Sequence, residues 1–363
     1  MTDLCREFGI SRKTGYKFKE RYQKYGLIGL VDDSRAPIVV ANKTSPSVEQ
    51  LIVSLRKERP KWGAAKLGEM LRRKHPNIRV PVRSTIHEVL SKNGLVKSKK
   101  RKKYKAAPTS LREAKAPNEL WCAHFKGQFR LGNKSYCYPL TITDQVSRYI
   151  ITCEALPDTK ARNAIPVFLE AFQEYGIPQA MRSDNVSPFS TRGLLGLSEL
   201  NILWLKLGIE VERITPGKPQ QNGRHERMHL TLKQETTRPP GANSLQQQDR
   251  FDKFKEDFNG TRPHEALEMA TPRSIYKRSE RPFDGRVPDP EYPMSDHICY
   301  VNHSGKVFVP GAGDFNPTTT LKGEYVGITQ EDEDLWGVCF FNYRLGVFDS
   351  KEGIFLSTDG VTK

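Results

Sequence analysis

The sequence predicts a multidomain protein with an all-α N-terminal part, a central α/β part built on a mixed sheet, and a small antiparallel β-barrel at the C-terminal end. Its 363 residues exceed one ordinary domain. The excess positive charge lies in the first third, and after residue 117 helical periodicity gives way to apolar, β-branched runs between turn residues. We predict domains at 1–36, 45–96, 118–282 and 292–358, with a basic linker at 97–117.

The first 110 residues concentrate the positive charge. They contain 27 Lys and Arg against 9 Asp and Glu, a net charge of +18, whereas the whole chain carries +16. A polyanion partner explains this segregation, because each neutralised phosphate releases condensed counterions and gives strong, salt-dependent attraction. A basic surface kept for solubility is the alternative. The distribution therefore favours a nucleic-acid partner.

Two negative observations restrict the class of protein. No run of about 18 or more apolar residues occurs and the N-terminus lacks a basic-then-apolar pattern, so neither a membrane span nor secretion is supported, and we expect a cytoplasmic protein. The six cysteines form no C-x-x-C pair. This scatter predicts reduced, packed thiols rather than disulfides or a zinc knuckle.

Residues 1–36 have the outline of a helix-turn-helix. Arg12, Lys13 and Thr14 would open its second helix, the one that reaches base edges. A small helical hairpin with charged ends fits the spacing equally well. A usual module packs three helices. A further possibility is therefore that the first helix is missing, through truncation or a late start codon. The first helix is predicted to have its apolar face at Leu4, Cys5 and Phe8. Gly9 is predicted to supply the turn, and Ser11 to cap the second helix.

Residues 45–96 predict three further short helices, the first capped at Ser45 or Ser47 and the last ended by Gly94. Arg83 and Ser84 open the last helix, again as in a helix-turn-helix. Two such modules in tandem would clamp more than one turn of duplex.

A dense run of Lys and Arg follows. Seven of residues 97–105 are basic, and so many like charges cannot pack, which predicts a linker that lies along phosphates. A simple solvated tether is the alternative, and both interpretations can hold together. The linker residues assigned to DNA are Lys99, Lys100, Arg101, Lys102 and Lys103.

From residue 118 the pattern becomes that of an α/β domain. Three apolar runs at 119–129, 134–143 and 148–157 predict an antiparallel meander. Helix, strand, helix and strand then alternate and lead to a long helix from residue 224. Their predicted bounds are 159–178, 179–184, 191–208 and 209–214. Short alternating strands from about residue 292 predict the terminal barrel.

Two motifs in the second half are specific. P-x-x-N-G-x-x-E at 219–226 and N-x-x-R-P-H-x-A-L at 259–267, preceded by S-D-N at 183–185, resemble the integrase core of bacterial insertion-sequence transposases. These are DDE recombinases related to retroviral integrases, and in order and spacing the likeness covers nearly the whole chain. It implies a ribonuclease-H-like core, an SH3-like C-terminal module and two Mg²⁺ (or Mn²⁺) ions. It also implies a bacterial, nucleoid-associated homo-oligomer that acts on double-stranded DNA at transposon terminal inverted repeats and target sites.

The resemblance assigns the catalytic, metal-binding acids to Asp184, which ends a strand, and Glu226, in the first turn of the long helix. Two divalent ions about 3.5–4 Å apart activate the nucleophile and stabilise the leaving oxygen, and carboxylates bridge them. Asp184 as a plain turn residue is the alternative. The position of the first acid holds His124 instead. A neutral imidazole offers one lone pair, suits Zn²⁺, Mn²⁺ or Fe²⁺ better than Mg²⁺, and cannot bridge two ions.

Val186 is a second departure, because the family usually has glycine after Asp-Asn, where a positive φ or a close backbone approach is needed. We find no substitute carboxylate, since Glu119 lies on the opposite face of its strand and Asp144 has a structural setting. We therefore predict weakened metal binding and Mg²⁺-dependent cleavage reduced by orders of magnitude.

Two functions from different classes stay open. The first is a DNA-binding transposase that catalyses, or once catalysed, cleavage and strand transfer, an activity impaired here by His124. The second is a catalytically inactive DNA-binding protein that occupies transposon ends as a repressor. A third match, H-E-x-x-H at 225–229, is the zinc metalloprotease signature, but its polar flanks and the lack of a recognisable third ligand argue against it. The core residues assigned to phosphate contact are Gln221, Asn222, Arg224 and Lys233.

Overall fold

The structure, a computed structural model, describes residues 1–32, 43–96, 111–191, 193, 195–215 and 218–358. The predictions for the basic linker residues Lys99, Lys100, Arg101, Lys102 and Lys103 lie outside these ranges. No helix within the described ranges is long and apolar enough to cross a membrane. All six cysteines are free, and five of them are buried.

The N-terminal helix-turn-helix consists of α1 (Thr2–Glu7) and α2 (Arg12–Tyr25), as predicted. Gly9 supplies the turn with a φ of +60°. The Ser11 hydroxyl accepts a hydrogen bond from the Thr14 backbone N–H at 3.1 Å, which satisfies one of the N–H groups left unpaired in the first turn of α2.

The predicted apolar face of α1 is wrong in part. Cys5 is buried, but Leu4 and Phe8 are 51% and 69% exposed. The helix is only six residues long, and it approaches α2 where Gly15 leaves room for the Cys5 sulfur. A contact through one small side chain leaves the larger neighbours in solvent.

A second module contains three helices with a core of their own, and Ser45 rather than Ser47 caps the first of them. The helices are α3 (Pro46–Glu58), α4 (Ala64–Lys74) and α5 (Arg83–Lys92). Their apolar faces pack around Ile52, Leu67 and Ile86, all fully or nearly fully buried. Such shared burial, rather than the propensity of any single short helix, stabilises the module.

Charged contacts tie this module to the central domain. The Arg59 Nη1 atom lies 2.6 Å from Asp257 Oδ1, and Arg83 Nη1 lies 3.5 Å from Glu265 Oε2. The start of α5 therefore faces the segment that carries the second sequence motif.

The central domain is built on a six-stranded mixed sheet. Antiparallel pairing of β3 with β1 and β4 gives the predicted meander, while β5 runs parallel to both β1 and β6. A short strand, β2, pairs with the beginning of β3. The strands are β1 (Leu120–Phe125), β2 (Phe129–Arg130), β3 (Tyr136–Asp144), β4 (Ile150–Leu156), β5 (Ala180–Ser183) and β6 (Glu210–Arg213).

Helices cover both faces of this sheet. On one face, α6 and α7 bury Phe168 and Trp204 against Trp121 of β1. On the other face, α8 and α9 bury Leu232 and Phe251 next to β4. The helices are α6 (Ala161–Tyr175), α7 (Glu199–Lys206), α8 (Gly223–Thr236), α9 (Ser244–Glu256) and the short α10 (Pro272–Ile275).

One helix prediction needs correction, and the structure decides one alternative that the sequence left open. The helix predicted from residue 191 begins only at Glu199, where Ser198 and Asn201 form a capping box, because Gly196 before it has a φ of +58° that interrupts helical backbone. The sequence left residues 239–248 open as a loop or the start of a helix, and the structure shows that α9 begins there. Its first turn is rich in glutamine, and its apolar positions are too few to show a clear helical period.

The C-terminal part is all-β, and its described strands do not confirm a closed barrel. Five strands form an open antiparallel sheet in the order β13-β12-β11-β10-β7, and β8 and β9 form a separate hairpin. The sheet packs on the central domain, because Leu197, Ile202 and Leu205 share its core. The strands are β7 (His297–Tyr300), β8 (Val307–Val309), β9 (Gly313–Phe315), β10 (Tyr325–Gln330), β11 (Leu335–Phe340), β12 (Tyr343–Asp349) and β13 (Ile354–Ser357).

Candidate active site

The three residues assigned to the catalytic pocket lie together at one edge of the central sheet. His124 is near the end of β1, and Asp184 follows β5, its parallel neighbour, so both side chains are delivered to the same edge. Glu226 comes from the first turn of α8. The His124 Nε2 atom lies 3.1 Å from Asp184 Oδ2 and 3.6 Å from Glu226 Oε1.

The period of the strand places His124 on the polar face of β1. Trp121, Ala123 and Phe125 enter the apolar core under α6 and α7, and His124 alternates with them. It therefore faces α8, and its direct partner in the neighbouring strand is Thr141 of β3.

Thr141 joins this strand to two buried histidines of α8. Its Oγ1 atom lies 3.1 Å from the His124 carbonyl oxygen, 2.8 Å from His225 Nε2 and 2.6 Å from His229 Nε2. A carbonyl oxygen only accepts, so the hydroxyl donates to it, and each imidazole must then donate its Nε2–H to Oγ1. These partners assign the same tautomer to both rings.

The other ring nitrogens of the two histidines differ. Thr143 Oγ1 donates to His225 Nδ1 at 2.8 Å, so both nitrogens of His225 are bonded. His229 Nδ1 is buried, has no hydrogen-bond partner, and lies 4.0 Å from Glu226 Oε1. In the assigned tautomer this nitrogen carries a free lone pair.

Burial controls the ionisation of these groups. It holds the pKa of His225 and of His229 well below the ordinary 6.5, so both rings are neutral at neutral pH. Burial also raises the pKa of the Asp184 carboxyl, against the opposing effects of His124 and of the Val186 N–H. Water therefore solvates charged side chains in this pocket poorly.

The donor atoms of the pocket do not fit a pair of Mg²⁺ ions. His124, Glu226 and His229 each offer one atom, and these atoms lie within 4.8 Å of one another. Mg²⁺ requires hard oxygen ligands in near-octahedral geometry, whereas two of these three donors are imidazole nitrogens. A bridging carboxylate is also lacking at position 124, and one imidazole lone pair cannot join two ions.

Sequence reasoning missed the parts played by His229 and Thr141. Glu226 and His229 are three residues apart on one helix, which places both on the same face. This spacing could have indicated that His229 lies beside Glu226 in the pocket. Nothing in the sequence sets the register that places Thr141 opposite His124.

The H-E-x-x-H match does not produce a zincin arrangement. His225 and His229 do share a face of α8, as the spacing requires. Because both ring nitrogens of His225 are already bonded to threonines, this residue has no lone pair left for a metal.

Val186 and Asp144, two further residues that the sequence singled out, can now be placed in the structure. The Val186 backbone N–H donates to Asp184 Oδ1 at 3.2 Å. Among described residues other than glycine, positive φ occurs at six positions and Val186 is not one of them, so this valine does not adopt the positive φ for which the family uses glycine. Asp144 is fully buried and accepts hydrogen bonds from the N–H groups of Asn118 and Ser147, which agrees with a structural role.

Comparison with known proteins shows which domains the chain carries. Two models, both described as integrase core domain, match residues 114–219 and 207–272, and a homeodomain-like domain model matches residues 14–90. A relative from Xanthomonas euvesicatoria, the insertion element IS476 uncharacterized 39.2 kDa protein, is 24% identical over 251 residues, which cover 68% of this chain and 69% of that protein. The chain therefore carries an integrase core and a homeodomain-like domain, and it is similar to a protein of an insertion element.

Solved structures similar to this chain include the HTLV-2 integrase catalytic core domain in complex with magnesium. That domain is 16% identical, with a TM-score of 0.36, and the match covers 45% of this chain and 98% of that one. A simian T-cell lymphotropic virus intasome in complex with the PP2A regulatory subunit B56 gamma is 13% identical, with a TM-score of 0.40, over 81% of this chain and 97% of that one.

The residues assigned to DNA in the two helical modules lie at helix starts. Arg12 and Lys13 open α2 and are exposed, and Thr14, which follows them, is half-buried. Arg83 and Ser84 open α5 and are also exposed. These positions are accessible to a DNA duplex.

The residues of the central domain that were assigned to DNA differ in their exposure. Arg224 and Lys233 are exposed on α8. Gln221 is held by Thr215, whose N–H donates to its Oε1 at 2.6 Å. Asn222 is only 3% exposed, so in this conformation its amide does not reach a phosphate. The sequence could not show this, because the asparagine sits where the loop turns under the start of α8.

Proposed function

We propose that this chain is a transposase that recognises the ends of an insertion sequence and whose Mg²⁺-dependent cleavage and strand transfer are strongly reduced. One observation carries the proposal: His124 Nε2 lies within 3.1 Å of Asp184 and 3.6 Å of Glu226, so an imidazole stands inside the pocket where the family has its first carboxylate. The intact family site would hold two ions, and we propose that this pocket holds them weakly.

The proposed partners are transposon terminal inverted repeats and target DNA, bound by a homo-oligomer. The homeodomain-like match and the exposed Arg12, Lys13 and Arg83 support duplex binding by residues 1–36 and 45–96. The boundaries of these domains, of the linker at 97–117 and of 118–282 and 292–358 stay predictions. For the C-terminal sheet, SH3-like in the resemblance, we propose assembly or protein contact, because residues 331–334 are all acidic and exposed.

A second candidate is a DNA-binding protein without chemistry that occupies the ends as a repressor. It is favoured by the contrast between exposed basic helix starts and an altered pocket. The two candidates differ in one respect only, which is whether any strand is cut.

Strand transfer on end-bearing DNA in Mg²⁺ tests the proposal. We expect His124→Asp to exceed the native chain on the order of 10²-fold or more, since the charge stabilisation that a bound ion supplies is worth several kcal/mol. A matched double variant, His124→Asp with Asp184→Asn, should lose that gain, which shows that the restored activity uses this pocket. Equal activity of the native chain and His124→Asp would overturn the proposal. End footprints with no turnover by either protein would favour the repressor.

A further inference from the structure

The region between α8 and β1 contains a buried imidazole nitrogen that has no hydrogen-bond partner within the described structure. His229 is fully buried, and the lone pair on its Nδ1 atom has no partner. The Glu226 carboxylate, whose side chain is 38% exposed, lies 4.0 Å away and also offers lone pairs. Two acceptors that face each other repel, and a cation between them removes the repulsion.

A third possible metal-ligand atom lies in the same space. His124 Nε2 lies 3.6 Å from Glu226 Oε1, and donor atoms of His124, Glu226 and His229 all lie within 4.8 Å of one another. Two imidazoles and one carboxylate form a ligand set that Zn²⁺ accepts, with a position left for water or substrate.

We infer that His124, Glu226 and His229 bind a single transition-metal ion of the Zn²⁺ class in place of a pair of Mg²⁺ ions. The preference follows from the donors: imidazole suits Zn²⁺, Fe²⁺ and similar ions, while Mg²⁺ is held by oxygen. The inference does not rest on the proposed function, because the ligands are in place whether or not DNA is cut.

The surroundings prepare His229 as a ligand. Its Nε2–H donates to Thr141 Oγ1 at 2.6 Å, the kind of outer contact that orients metal-binding imidazoles. Asp184, beside His124, adds negative charge that favours any cation in the pocket.

His225 provides a matched control. It lies on the same helix, is equally buried, and shares the Thr141 hydroxyl, but both of its ring nitrogens are bonded to threonines. His225→Gln and His229→Gln therefore disturb similar hydrogen bonds, and only the second removes a donor from the site.

The test uses the full chain, freed of metal by a chelator and titrated with Zn²⁺ alone, with Co²⁺ absorption as a second probe of the ligands. We expect one Zn²⁺ per native chain and a ligand-field spectrum with Co²⁺ that excess Mg²⁺ does not abolish. His229→Gln and His124→Ala should each weaken Zn²⁺ binding by at least about tenfold, whereas His225→Gln should not.

Two results would overturn the inference. One is the absence of stoichiometric Zn²⁺ binding by the native chain, as would be found if a protonated His124 paired with Asp184 and Glu226 in place of a metal. The other is an equal loss of affinity in His225→Gln and His229→Gln, because that would trace the effect to packing and not to a ligand. Circular dichroism of each variant establishes that it is folded before its affinity is compared.

Discussion

The two faces of β1 are held by different interactions, although they belong to the same six residues. On the face toward α6 and α7, Trp121 is fully buried and stacks on Phe172 with ring centroids 6.1 Å apart. On the face toward α8, His124 lies among hydroxyls, imidazoles and carboxylates. The apolar face can therefore preserve the fold while the polar face changes its chemistry, and the His124 substitution is confined to the second.

The largest effect is expected on the apolar face. Trp121→Ala should lower the free energy of unfolding by about 3–5 kcal/mol, since it removes a large buried side chain and leaves a cavity. Val186→Ala, at an exposed side chain beside the pocket, is the control and should change stability by less than about 0.5 kcal/mol. Denaturant titration measures both. Similar losses of unfolding free energy in the two variants would contradict the claim that the apolar face of β1 preserves the fold.

A smaller effect is expected on the polar face. Thr141→Val keeps the shape of the side chain but leaves the Nε2–H groups of His225 and His229 without an acceptor, which should cost about 1–3 kcal/mol. Thr231→Val, at a partly exposed hydroxyl on the same helix as the histidines, should cost less. If Thr141→Val were as stable as the native chain, the assigned tautomers would be wrong.

The two buried histidines of the polar face should also determine how the stability of the protein depends on pH. The pKa of His225 and of His229 is lowered in the folded state, so the unfolded chain binds more protons below 6.5 and stability falls as the pH drops through that value. The slope is at most about 1.4 kcal/mol per pH unit for each ring.

Asp184 acts in the opposite direction, because its raised pKa favours the folded state in acid. Other titratable groups near the two rings are Glu226, His124 and Lys126. Urea titrations at pH 7, 6 and 5 should show the loss for the native chain and a smaller slope for His225→Gln. An unchanged slope in that variant would show that the histidines do not carry the effect.

The smallest effect on stability is expected far from both faces. Arg12→Ala and Lys13→Ala, at exposed positions of α2, should leave stability within about 0.5 kcal/mol. If these side chains contact phosphates, each change should weaken DNA binding uniformly across sequences and reduce the salt slope by about 1. Binding isotherms at several salt concentrations measure this, and an unaltered slope would remove the residue from the interface.

The sequence predicted the elements of the central sheet and the meeting of His124, Asp184 and Glu226, because strand period and the position of strand ends are local properties. It did not predict the contribution of His229, which depends on the register between β1 and β3 and on the packing of α8 over them. The sequence could not decide between a loop and a helix start at α9, because the burial of this helix comes from tertiary contacts with α8 and β4, which override a weak local period.

The central claim is that an imidazole at position 124 weakens the binding of two oxygen-bound ions in this pocket. Counting Mn²⁺ ions bound per chain by electron paramagnetic resonance, with end DNA present, tests it most directly. We predict two ions for His124→Asp and no more than one for the native chain. Two ions bound by the native chain would contradict the claim.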